Sequence, residues 1–177
     1  MRHAPLAAAM LAWSAATNAA PTDEDPPPVA PVRAIAIMRN GAGKQVGTAT
    51  LVNDPGGVQI AIVVKGLPPG RHGFHLHAVG RCEGPGFTSA GAHFNPGQKP
   101  HGPAGSPQAH AGDLQELVAD SDGVAVVGFI ARGVTLTGGP AALLGGAGTA
   151  LVLSAAADDG KSDDMGPRLV CGVVTRR

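Results

Sequence analysis

Residues 72–113 read HGFHLHAVGRCEGPGFTSAGAHFNPGQKPHGPAGSPQAHAGD and hold six of the seven histidines in the chain, the seventh being His3. The stretch begins with a strand period and then loses it. Phe74, His75, Leu76 and His77 alternate apolar and polar. Side chains two apart on a strand share a face, so His75 and His77 project together. Two imidazoles on one face chelate a borderline metal such as copper or zinc; the plainer alternative is a pair of solvated or hydrogen-bonded strand histidines. His72 stands at an odd separation from His75, off that face, and reads as a structural histidine bonded to nearby backbone. His93, His101, His110 and Asp113 follow in a loop rich in Gly and Pro. Three neutral nitrogens and a carboxylate form a complete tetrahedral zinc set. A loop this long without apolar periodicity needs something to order it, and a metal would do so; the alternative is a flexible His-rich loop.

On both sides of this stretch the pattern is that of short strands. Ala34, Ala36 and Met38 alternate with Ile35 and Ile37, and Asn40-Gly41 marks a turn. Residues 46–52 form a second expected strand, 54–57 a turn, and 58–64 a third strand. The third is apolar on both faces and is therefore expected at the centre of a sheet, covered on both sides. Residues 67–70 turn into the strand of His75 and His77. Beyond the metal loop, 114–118 and 124–130 are expected to pair as a hairpin across 120–123, and 134–136 to make a short strand. Residues 138–148 are a small-residue loop, 151–153 a strand, and 169–174 the closing strand. Between the last two, loop 155–167 carries Asp158, Asp159, Lys161, Asp163 and Asp164, more acid than base. Its bland reading is an ordinary solvated loop, and the soft thioether of Met165 has no place that the sequence alone assigns. Short strands at regular spacing with turn signals predict an all-β fold, a Greek-key β-sandwich or flattened barrel in one domain.

Thirteen basic and thirteen acidic residues cancel, so no basic excess points to nucleic acid or to an anionic membrane. Twenty-seven glycines and sixteen prolines suit many turns and argue against a helical bundle. Residues 1–19 are expected to be a secretory signal peptide: Arg2 and His3 start it, 6–16 are apolar, and Thr17-Asn18-Ala19 offer small residues for cleavage. The apolar run is too short to span a bilayer; a buried Ala-rich helix is the alternative. Residues 20–31 are Pro-rich and acidic and read as a disordered linker, which leaves 32–177 as the folded domain. Two cysteines behind such a leader suggest one disulfide in a periplasmic or secreted protein, or else two separate buried thiols.

Seven motifs in order carry a family resemblance: GFHLH at 73–77, CEGPGFTSAGAHFNP at 82–96, KPHG at 99–102, HAGDL at 110–114, DGVAVVGF at 122–129, ADDGK at 157–161 and GPRLVCGVV at 166–174. Together they resemble the copper–zinc superoxide dismutase family, of the secreted bacterial type, over about 32–174. The resemblance implies a Greek-key sandwich with long metal-binding and electrostatic loops. It implies copper on His75, His77 and His93, with zinc on His93, His101, His110 and Asp113. Asp158 would bond both His75 and His101 and orient their rings, and Cys82 and Cys171 would form the intrasubunit disulfide. Arg168 would guide the superoxide anion, and His93 would take up and release a proton in the cycle. The family carries a fourth copper histidine on the strand before ADD. Here that strand reads TALVLSAAADD, with Ser154 at the histidine position and no histidine after His110. A neutral hydroxyl is a poor copper ligand beside an imidazole. The expectation is therefore an antioxidant superoxide dismutase with zinc intact and copper weakened. The alternatives are a non-catalytic, zinc-stabilised relative that binds or delivers copper, or a structural interaction domain. Superoxide is the expected small-molecule substrate; a homodimer is compatible with the resemblance, since the family commonly forms dimers by different surfaces, but no decisive interface patch marks this sequence.

Overall fold

Ala34, Ala36 and Met38 turn inward along β1 (Arg33–Asn40), and Ile35 and Ile37 lie on its half-buried face. The side chain of Asn40 accepts the amides of Ala42 and Lys44, closing the turn that the Asn-Gly pair announced. The computed structural model describes residues 32–177; the expected signal at 1–19 and linker at 20–31 lie outside the described residues. After β1 come β2 (Gln45–Asp54), β3 (Gly57–Lys65), β4 (Gly70–His72), β5 (Phe74–His77), β6 (Leu117–Ala119), β7 (Val124–Ala131), β8 (Ala150–Ser154), β9 (Arg168–Val173) and β10 (Thr175–Arg176), with a 3-10 turn at Thr88–Ala90.

The strands make one curled antiparallel sheet in the order β5-β8-β9-β1-β2-β3-β7, with β10 added to β1. From β3 near one end, the chain crosses to β5 at the other, the long return of a Greek key. A small pair, β4 with β6, draws the two edges together. β4 runs into β5 across Gly73, and β6 leads into β7 through the Asp120–Gly123 turn, so the sheet curls towards a flattened barrel. The hollow of the curl is filled by Met38, Leu51, Ile60, Ile62, Phe74, Leu76, Leu117, Leu136, Leu143, Leu151 and Leu153, all essentially inaccessible to water. Each such side chain contributes about 1.5–3 kcal/mol relative to exposure. The all-β Greek-key architecture is as expected, with three local differences.

β3 is central, between β2 and β7, but only one of its faces is covered. Val58, Ile60, Ile62 and Val64 are buried, whereas Gln59, Ala61 and Val63 face outward, Val63 being 41% exposed. Two of these outward residues, Ala61 and Val63, are apolar, and no layer packs over them among the described residues. The hairpin of 114–118 with 124–130 does not form. β6 pairs with β4, β7 pairs with β3 along its full length, and the bonds across the turn are confined to Asp120, whose amide donates to the Val124 carbonyl and whose carbonyl and side chain accept the amides of Gly123, Asp122 and Val124. The expected strand at 134–136 is a folded loop with one isolated bridge, Thr135 to Ala142. Its backbone groups bond to residues 141–144 and to the Asn53 side chain, so it has no need of a neighbouring strand.

Candidate metal centre

β5 is buried on both faces. Phe74 and Leu76 belong to the core, and His75 and His77 point to the opposite side, as their alternation requires. There Val152 pairs with His75 and Ala150 with His77 across β8. A second apolar cluster of Phe87, Ala90, Ala150, Val152 and Cys171 lies on this side. The disulfide from Cys82 to Cys171 ties the loop to β9 across 89 residues of sequence. Closing a loop of that length stabilises the fold by about 4–5 kcal/mol in the chain-entropy account.

The metal loop is stitched onto β5 by backbone. Leu76 donates to Gly112, Gly112 to Phe94 and Phe94 back to Leu76, at 2.8 to 2.9 Å. Gly112 is needed here because a Cβ would meet the Leu76 carbonyl oxygen at 2.5 Å. This triangle sets His93 opposite His77 and Asp113 opposite His75 as isolated bridges. Five imidazoles converge as a result. The His93 ring lies amid the other four, with centroids 4.1 Å from His75, 5.0 Å from His77, 5.3 Å from His101 and 5.5 Å from His110.

On one side of His93, three Nδ1 atoms surround a single carboxylate oxygen. Asp113 Oδ1 is 3.2 Å from His93 Nδ1, 3.1 Å from His101 Nδ1 and 3.1 Å from His110 Nδ1. Asp113 Oδ2 is occupied by the amides of Gly102 and His110. One oxygen cannot accept three in-plane hydrogen bonds with its two lone pairs. Donors about 2.0–2.1 Å from a common centre at tetrahedral angles sit roughly 3.3 Å apart. The spacing therefore fits a zinc ion among the four. Burial raises the Asp113 pKa, but the His93 hydrogen bond, the Gly102 amide and the neighbouring His101 and His110 outweigh it and bring it down to about 2. Asp113 is therefore the ionised donor that a cation requires.

On the other side, His75 Nε2 bonds to Asp158 Oδ2 at 2.9 Å, and its Nδ1 is buried without any partner. His77 Nδ1 bonds the Gly91 carbonyl at 2.9 Å, leaving Nε2 as its ligand atom. A buried, unpaired ring nitrogen costs about 1–3 kcal/mol; a metal ligand has reason to keep one. Burial, then the charge of His93, holds His75 down at about 4, and burial holds His77 at about 3. Both rings are neutral, as ligands must be, far below neutral pH.

Asp158 spans the two sides, with Oδ2 on His75 and Oδ1 on His101 Nε2 at 2.8 Å. Burial alone would lower the His101 pKa, but the bond to Asp158 and the charges of Asp113 and Asp158 raise it overall. Asp158 is itself held: its amide donates to Glu116 at 2.7 Å, and Glu116 pairs with Arg71. The pairing of β4 with β6 brings Arg71 and Glu116 together. Arg168, at the start of β9, donates Nη1 to the Phe87 carbonyl and Nη2 to the Gly91 carbonyl, each at 2.9 Å. His72 is structural, bonding the carbonyls of Ser154 and Pro68.

Ser154 ends β8, is buried, and bonds Gly73 through its amide. Met165 is also buried, and its Cγ and His75 Cε1 both border the space beside Gly73. Sequence reading assigned no role to Glu116 or to the Gly91 carbonyl, because neither residue type marks a second layer by itself. In sequence Asp163 is one more acid of a solvated loop, whereas in the structure its Oδ1 lies 3.5 to 3.8 Å from the same three nitrogens as Asp113.

A family model described as copper/zinc superoxide dismutase (SODC) matches residues 45–174. The protein is 39% identical over 148 residues to a protein of Aquifex aeolicus named superoxide dismutase [Cu-Zn] 2, covering 81% of this chain and 86% of that one. It is 36% identical over 153 residues to the extracellular superoxide dismutase [Cu-Zn] of Brugia pahangi, covering 80% and 74% respectively. Among solved structures, a double mutant of a SOD-like protein from Bacillus subtilis superposes with a TM-score of 0.73 at 38% identity, covering 78% of this chain and 95% of that one. Among the described residues, no helix is long and apolar enough to cross a membrane.

Proposed function

The chain belongs to the copper/zinc superoxide dismutase family, and we propose that within it this protein is a periplasmic or secreted superoxide dismutase whose zinc half is complete and whose copper half lacks one histidine. The observation that carries the copper half of this reading is the buried, unpartnered Nδ1 of His75. A fold kept only for its shape has no use for that cost.

His93, His101, His110 and Asp113 would hold zinc, and His75, His77 and His93 would hold copper. When bound, copper supplies the one-electron exchange by which one superoxide becomes oxygen and a second, with two protons, becomes hydrogen peroxide. The chain's own residues do the remaining work. Arg168 spends two of its five N–H donors on carbonyls, which fixes the guanidinium and leaves the others for the incoming anion. His93 faces Asp113 through Nδ1, so Nε2 is where it holds and passes a proton. Asp158 holds Nε2 of both His75 and His101, which orients the two rings and leaves each Nδ1 as the atom that would bind a metal. The disulfide and the relative named extracellular support the compartment. The domain division into 1–19, 20–31 and 32–177 belongs to the same proposal.

Ser154 supports a second reading, a zinc-stabilised relative without dismutase turnover that binds or delivers copper. An acidic loop over the site also disfavours anion approach. Metal content together with dismutase activity separates the two. The test uses protein purified from the periplasm and then supplied with copper. Zinc near one per chain with measurable turnover supports the enzyme; zinc with no turnover after copper addition supports the second reading.

A further inference from the structure

The three zinc-side nitrogens face two carboxylates. Asp163 Oδ1 lies 3.7 Å from His93 Nδ1, 3.5 Å from His101 Nδ1 and 3.8 Å from His110 Nδ1, against 3.1 to 3.2 Å for Asp113. One donor atom each from His93, His101, His110 and Asp163 lies within 4.8 Å of all the others. Unlike Asp113, whose side chain is wholly buried, that of Asp163 is 68% exposed, so it approaches from the solvent side.

The loop is folded so as to deliver it. Asp158 Oδ1 accepts the Gly160 amide, Asp159 accepts the amides of Lys161 and Ser162, Ser162 Oγ accepts that of Asp164, and Asp164 accepts that of Gly166. These turns shape the backbone on both sides of Asp163 and leave its own carboxylate out of them. An acid this exposed and otherwise unheld would turn to water. This one turns toward three ring nitrogens whose lone pairs would repel it unless a cation or protons lie between.

Resting on the zinc reading of this site, we infer that Asp163 is a fifth, oxygen donor to the zinc-side ion. It caps the site from the loop 155–167 and fastens that loop to the metal. Zinc accepts a fifth ligand without loss of stability from its electronic structure. Two carboxylates and three neutral imidazoles also cancel its double charge completely, where Asp113 alone leaves one positive charge.

The test compares wild type, Asp163→Asn and Asp164→Asn as secreted proteins, with zinc(II) and cobalt(II) as probes. Asp164 is the charge-matched neighbour whose carboxylate serves a turn. Zinc affinity is measured by competition with a chromophoric chelator, and coordination number by the visible bands of the cobalt form. Asp163→Asn is expected to weaken zinc by about tenfold to a hundredfold, to intensify the cobalt bands toward those of a four-coordinate ion, and to leave loop 159–166 no better protected from hydrogen exchange with zinc than without. Asp164→Asn is expected to match wild type in all three. Unchanged affinity and spectrum in Asp163→Asn, or equal weakening in both variants, overturns the fifth donor while leaving the four-ligand site standing. Failure of wild type to bind zinc overturns the site itself, and the fifth donor with it.

Discussion

His77 and Arg168 donate to the same oxygen, the Gly91 carbonyl, each at 2.9 Å. One backbone atom therefore positions both an expected copper ligand and the expected anion guide. It also places a permanent positive charge beside His77, which adds to burial in keeping that ring neutral. Gly91 lies at a positive φ of 76° just after the 3-10 turn, a conformation that glycine adopts without strain.

Removing the guanidinium is expected to cost anion capture and to spare the metals. Arg168→Ala should lower kcat/KM by about tenfold to a hundredfold, the loss of one charge-assisted contact. Zinc and copper content should stay as in wild type. The rate of wild type should fall as salt rises, and that of the variant should fall less. Steady-state dismutation across ionic strength, with metal analysis of both proteins, checks this.

Asp158 bonds one expected ligand of each metal, so its loss is expected to loosen both. Asp158→Ala should weaken zinc and copper each by about ten- to a hundredfold. Dialysis against graded chelator followed by metal analysis reads the result. Loss of one metal only would show that His75 and His101 are held independently.

Acid should destabilise the metal-free protein in a defined window. The pKa values of His75 and His77 are lowered from 6.5 to about 4 and about 3. As pH falls below about 6.5 the unfolded chain takes up these protons and the native state does not, so stability falls until about pH 3. Asp113 is lowered from 3.8 to about 2; its contribution is present above 3.8 and is lost as pH falls through 2. His101 runs the other way, since its raised pKa gives stability below 6.5 that is lost as pH rises through its native value. Two groups against one give a net loss on acidification. Thermal unfolding of chelator-treated protein should show a lower midpoint at pH 4 than at pH 7.

Cleavage at the proposed point, after about residue 19, would remove Trp13, the one tryptophan of a chain without tyrosine. Secreted protein should therefore absorb very weakly near 280 nm and lack tryptophan fluorescence. A strong tryptophan emission from secreted material would place the cleavage point elsewhere.

Much of this was legible because the information was local. The period of two put His75 and His77 on one face, and the Asn40-Gly41 and Asp120–Gly123 turns stand where turn chemistry requires them. The facing of β3 was not legible: Ala61 and Val63 are apolar letters whether or not a layer covers them. Nor was the partner of β6, since the Asp120–Gly123 turn is compatible with a hairpin and with divergence. Only closure of the sheet through β4 decides between them. At the site, the residues that converge, His75, His77, His93, His101, His110 and Asp113, are the ones the motifs single out. Asp163 was not, because its place depends on four successive turns that fold a loop with no periodicity of its own.

The proposed centre has a complete zinc half beside a copper half that lacks one ligand at Ser154. Copper titration of the zinc-loaded protein, with wild type beside Ser154→His, tests it most directly. Wild type is expected to take copper weakly and lose it to a chelator, and Ser154→His to bind at least about tenfold tighter and gain turnover. Wild type that keeps a full equivalent of copper through the same treatment and turns over fast, with no gain from the added histidine, would contradict it.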